Sequence, residues 1–88
     1  MSAPVQIEIE YCQGWGYKSG ADALVERLCD DVAALEPEHC ALNPGRTGSF
    51  EVKVDGKLVH SKLEGGKSKK PANSEAEYCA IRDAVEKK

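Results

Sequence analysis

No run of apolar residues in this 88-residue chain exceeds four, the longest being Val32–Leu35 and Tyr78–Ile81. A membrane-spanning helix needs about 20 such residues, so none is expected, and the apolar middle of a secretory leader is missing as well. Aromatic residues make up only 6%, which leaves no row of rings for stacking nucleic-acid bases. The net charge is −3, too small to select a nucleic acid or a membrane as partner. Cys12, Cys29, Cys40 and Cys79 are the only cysteines, and no two of them form Cys-x-x-Cys, so the zinc-ribbon pattern is absent and no metal is expected. Without a leader, a secreted disulfide framework is not expected either, and the setting inferred is cytoplasmic.

Hydrophobic residues at 41% and charged residues at 31% fit an ordinary globular chain, and the length fits one domain over residues 1–88. Charge is unevenly spread. Residues 1–40 hold eight acids and two bases, residues 41–88 seven acids and ten bases. Lys62, Lys67, Lys69 and Lys70 crowd one Gly-containing stretch, read as a solvated loop over 62–72.

Val5, Ile7, Ile9 and Tyr11 alternate with Gln6, Glu8 and Glu10, the signature of a strand with one buried face. Ala21, Leu24, Val25, Leu28, Val32 and Leu35 then recur at helical intervals before Pro37, predicting a helix over 20–35 opened by Ser19 and Asp22 in capping-box spacing. Residues 38–43 form a weaker candidate strand. Phe50, Val52 and Val54 alternate with Glu51 and Lys53 ahead of Asp55-Gly56, a strong two-residue hairpin signal. A regular hairpin pairs Val52 with Val59 and Glu51 with His60, placing Glu51 and His60 on the wet face, where replacing either by Ala should change stability little. Ser74-x-x-Glu77 opens a last helix with Tyr78, Ile81 and Val85 on its inner face and Lys87 and Lys88 at its end. The order β-α-β-β-β-α, with one polar face on each clear strand, predicts an α/β two-layer sandwich of the thioredoxin-like kind. Its mixed four-stranded sheet carries both helices on one face.

Cys12 carries the chemical interest. It stands at the carboxyl end of the first strand, where open α/β sheets place ligands, and shortly before the first helix. A helix amino end favours thiolate over thiol, and Gly14 and Gly16 permit a tight turn that should leave the sulfur accessible. Cys29 and Cys79 fall within helical patterns and read as inert core or near-core thiols. His60 reads as an exposed cross-strand partner of Glu51, and His39 as a connection residue; no ligand spacing supports a site built from Cys12, His39 and Cys40.

The string Ile9-Glu10-Tyr11-Cys12-Gln13-Gly14-Trp15-Gly16-Tyr17-Lys18 resembles the redox loop of selenoprotein W and its relatives, the Rdx family. The later string Thr47–Lys62 is similar to that family's second signature. The resemblance implies a thioredoxin-like fold, an antioxidant role linked to glutathione, and docking of a regulatory partner such as a 14-3-3 protein. It places the redox pair at Cys12 and position 15. The family carries Cys-x-x-Sec or Cys-x-x-Cys there, whereas Trp15 offers no nucleophile. Two origins stand open: a selenocysteine codon, UGA, read or replaced as the neighbouring Trp codon UGG, or a paralogue that has lost the pair. Cys40, placed near the end of the second strand, is a further candidate for glutathionylation or else a half-buried strand thiol.

Overall fold

The alternation of Ile7, Ile9 and Tyr11 with Glu8 and Glu10 builds strand β1 (Ile7–Tyr11), whose three apolar side chains are buried. In the computed structural model, which describes residues 5–14, 16–33, 35–65 and 71–86, the chain continues into helix α1 (Tyr17–Asp31) and a 3-10 turn over Pro37–His39. Strands β2 (Cys40–Pro44), β3 (Phe50–Val54) and β4 (Lys57–Ser61) follow, then the one-turn helix α2 (Lys62–Gly65), a second 3-10 turn at Pro71–Asn73, and helix α3 (Glu75–Glu86). The sheet order is β2-β1-β3-β4, with β1 and β2 parallel and the other pairings antiparallel. Leu24 and Leu28 of α1 and Tyr78, Ile81 and Val85 of α3 join Ile7, Ile9, Phe50, Val52 and Val54 in one core. Both long helices therefore cover one face of the sheet, and the fold is the expected thioredoxin-like α/β sandwich.

Helix α1 is shifted from its expected bounds. It begins at Tyr17, preceded by Gly16 at φ 77°, and Ser19 does not cap it; the Ser19 hydroxyl donates to the Gly16 carbonyl at 2.8 Å. Asp22 pairs with Lys18 at 3.0 Å instead. The helix stops at Asp31, where Val32 turns extended, because Asp30 and Asp31 place negative charge at the end whose dipole disfavours it. Leu35, only 3% exposed, reaches the core from beyond the helix. Ser74 caps α3 as expected: its hydroxyl accepts the Glu77 N–H at 3.4 Å. Lys87, Lys88, Lys67, Lys69 and Lys70 lie outside the described residues.

The hairpin departs from regular pairing. Asp55 (φ 51°) and Gly56 (φ 84°) take the two left-handed conformations that a type I′ turn demands. Val54 faces Lys57 and Lys53 faces Leu58 as expected, but a bulge then advances β4 by one residue. Val52 now opposes His60, and Glu51 opposes Ser61. A one-residue slip exchanges faces. His60 becomes buried and meets the Phe50 ring edge-on at 5.8 Å, while Val59 is left half-buried at the bulge. Glu51 is not exposed either. Its carboxylate accepts the Ser61 hydroxyl and the N–H groups of Lys62 (2.9 Å), Leu63 (3.2 Å) and Phe50 (3.3 Å). Those bonds turn Lys62–Gly65, expected as loop, into α2.

Candidate functional site

The carboxyl end of β1 is held on both sides by the connection between β2 and β3. The Gly45 N–H donates to the Tyr11 carbonyl at 2.8 Å, and the Cys12 N–H to the Ser49 carbonyl at 2.9 Å. Arg46, next to Gly45, binds Glu10 of β1 through its backbone N–H and its guanidinium Nε, both at 2.9 Å. The guanidinium first, and then the backbone N–H, hold the Glu10 carboxyl down at about 2. Gly45 runs so close to the Glu10 side chain that a Cβ there would overlap it. This clamp fixes the point at which Cys12 leaves the sheet.

Beyond Cys12 the chain exposes Gln13 and Gly14, and the Gly14 carbonyl accepts the Tyr17 N–H at 3.3 Å. Gly16 takes the left-handed conformation that side chains bearing a Cβ disfavour. The turn thus feeds directly into the amino end of α1, as expected. Cys12 itself differs from the expectation of an open sulfur: it is 6% exposed and packs in the core cluster with Tyr11 and Tyr17. Its main-chain bond to Ser49 prolongs the β1–β3 ladder by one residue, which keeps Cys12 in the packed layer and leaves exposure to Gln13 and Gly14. Trp15 lies outside the described residues. Lys62 of α2 carries its ammonium group 5.9 Å from the Tyr17 ring, within reach of a cation–π contact. A positive charge borders the base of the loop, a feature that the loop reading of residues 62–72 missed.

Cys40 is not part of this site. It opens β2 rather than ending it, and stands opposite Ile7. Cys12 lies five residues further along the same strand direction, roughly 16 Å away at the rise of a parallel strand. That separation, together with the His39 Nδ1 accepting the Glu36 N–H at 3.1 Å, keeps Cys12, His39 and Cys40 from sharing an ion. No group of three or more His, Cys, Asp or Glu among the described residues is arranged to hold a metal. Cys40 instead shares a groove between α1 and β2 with Cys29. Burial first, and then that neighbour, push the Cys40 thiol up to about 11. Burial, followed by the charges of Glu36 and Asp30, also raises Cys29. Cys79, half-buried on α3, has Arg82 Nη2 at 3.9 Å from its sulfur.

Residues 6–80 match the family model of the Rdx family. The chain belongs to the Rdx family. Among curated Rdx-like relatives, Selenoprotein W of Sus scrofa is 41% identical over 61 residues, covering 69% of this chain and 70% of that protein. Migration and invasion enhancer 1 of Bos taurus is 36% identical over 62 residues, covering 70% of this chain but 51% of that protein. The chain thus spans about half the length of that relative. Among solved structures, a selenoprotein W-related protein from Vibrio cholerae superposes with a TM-score of 0.75 at 22% identity, covering 97% of this chain and 96% of that one. This likeness speaks for the fold. No helix among the described residues is long and apolar enough to cross a membrane.

Proposed function

We propose that this Rdx-family chain is a cytoplasmic thiol redox protein with an antioxidant role, using glutathione as its reductant and Cys12 as its nucleophile. The observation that carries this reading is the placement of Cys12. It sits in the family's loop string, at the clamped carboxyl end of a central strand and directly ahead of a fifteen-residue helix, whose dipole favours a thiolate. Lys62 beside Tyr17 adds a positive charge that suits an anionic thiol such as glutathione.

With Trp15 in place the chemistry is that of one thiol. The Cys12 thiolate attacks a peroxide oxygen and the O–O bond breaks; the hydroxide or alkoxide expelled takes up the proton the thiol gave up and departs as water or an alcohol, and Cys12 becomes a sulfenic acid. Glutathione condenses with it, releasing water and forming a mixed disulfide. A second glutathione thiolate then attacks the adduct, yielding glutathione disulfide and restoring Cys12. With selenocysteine or Cys at position 15, that residue would attack first and Cys12 would resolve the adduct. A UGA codon at position 15 of the messenger, followed by a selenocysteine-insertion hairpin, would restore that pair.

The test is mass mapping after exposure to glutathione disulfide at pH 7. An adduct removable by reduced glutathione should appear first on Cys12 and vanish in Cys12→Ser. Cys40, with its thiol raised to about 11, should react much later. Trp15→Cys should create an intraloop disulfide with Cys12. Adducts elsewhere with none on Cys12 would refute the assignment. A second reading rests on Trp15 itself, which cannot complete a redox pair: the exposed Gln13-Gly14 turn would then dock a regulatory partner of the 14-3-3 kind. A UGG codon with no insertion hairpin, together with an inert Cys12, would favour it.

A further inference from the structure

Two of the three thiols outside the loop, Cys29 and Cys40, are neighbours. Cys29 comes from the second half of α1 and Cys40 from the start of the edge strand β2, and each thiol lies near enough to shift the other's ionisation. Both line one open groove of about 470 Å³ between α1 and β2, so a small reagent has a path to them. The chain between them is anchored by buried Leu35 and by the 3-10 turn at Pro37–His39, so the juxtaposition is held by packed elements. The groove's charged lining residues are Asp22, Glu26 and Asp30, all acidic.

We propose that Cys29 and Cys40 form a second redox site, which a low-molecular-weight disulfide closes reversibly into an intramolecular disulfide tying α1 to β2. The Cys29 thiol, the less deeply buried of the two, loses its proton and attacks one sulfur of the oxidant. The oxidant's S–S bond breaks, and one small thiolate leaves and takes up a proton. Cys40 then loses its proton and attacks the Cys29 sulfur of the mixed disulfide, expelling the second small thiol. Two protein thiols are oxidised, and one small disulfide is reduced to two thiols. The acidic lining repels an anionic adduct such as that of glutathione, so the mixed disulfide resolves to the internal bond. The raised thiols make closure slow near neutrality, with a rate that climbs about tenfold per pH unit below their ionisation.

This site is independent of the Cys12 loop and can be tested without it. The Cys12→Ser/Cys79→Ser double variant and the wild-type chain are each exposed to glutathione disulfide between pH 7 and 9. Free thiols are then alkylated, and the protein is digested after Glu38, which separates the two cysteines. The expected product is a peptide pair linked through Cys29 and Cys40. The intact double variant should lose the mass of two hydrogens, closure should speed up about tenfold per pH unit, and reduced dithiol should reverse it. Lasting separate glutathione adducts on Cys29 and Cys40, or free thiols at both after prolonged exposure at pH 9, would overturn the proposal and leave the Cys12 reading intact. An unreactive Cys12 with a linked Cys29–Cys40 pair would do the reverse.

Discussion

Glu51 offers the sharpest test of how the hairpin is built, because a regular pairing would make it dispensable. In the structure it is 4% exposed, and its carboxylate serves the Ser61 hydroxyl and the N–H groups of Phe50, Lys62 and Leu63. Glu51→Ala removes the acceptor from all four donors. A hydrogen bond to a charged group nets roughly 1.5–3 kcal/mol, and an orphaned buried donor costs roughly 1–3. The one-turn α2 can open its own amides to water, so the four losses do not add, and the variant should lose about 3 kcal/mol. At roughly 4–8 °C per kcal/mol for a domain of this size, the melting midpoint should fall by more than about 10 °C. Glu51→Gln keeps the shape but not the charge and should lose about 1–2 kcal/mol. Burial pushes the Glu51 carboxyl up, but the Ser61 hydroxyl and the amides of Leu63, Lys62 and Phe50 together outweigh it and leave the group below 4.5. A carboxyl lowered by folding stabilises above its unfolded value, and that contribution is lost as pH falls through the folded one. The gap between wild type and Glu51→Gln should therefore be full at pH 7 and narrow below about 4.5. Thermal unfolding at pH 7, and urea unfolding at pH 7 and pH 3, each followed by circular dichroism, measure the two effects. A midpoint within about 2 °C of wild type for Glu51→Ala, or a gap that does not change with pH, would refute the network.

Two further outcomes follow from the same geometry. His60→Ala should lose about 2–3 kcal/mol by urea unfolding, because a buried ring packed edge-on against Phe50 leaves a cavity, whereas Val59→Ala, half-buried at the bulge, should lose well under half as much. Gly45→Ala should push the Glu10 side chain off Arg46, so that the Glu10 titration followed by NMR moves up from about 2; the stability that Glu10 contributes above pH 4.5, which wild type loses as pH falls from 4.5 toward 2, should be missing.

Where a residue's neighbours lie within its own element, pattern reading and structure coincide. Ile7, Ile9 and Tyr11 fall on one face of β1 by alternation alone, and Tyr78, Ile81 and Val85 on one stripe of α3 by helical spacing. Asp55-Gly56 specifies its turn through backbone conformations that few other pairs adopt. The departures share a different cause: each depends on a neighbour supplied by another element. Lys57–Ser61 reads equally well with or without a bulge, and the choice is made by what β3 offers, namely a core position beside Phe50 for His60 and a carboxylate on Glu51 for Ser61. The same carboxylate converts a Lys- and Gly-rich stretch into α2 and brings Lys62 over Tyr17. Cys29 lies one helical turn beyond Val25, at the border of the face that α1 buries, so its spacing alone leaves it near-core. Only the parallel register, with Cys40 opposite Ile7 and far from Cys12, brings the β2 thiol beside the groove that Cys29 also lines. The sequence string marks the loop, whereas the sheet register decides which thiols lie near one another. It sets Cys12 at one end of β1 and the neighbouring Cys29 and Cys40 at the other, so oxidation of one end need not involve the other.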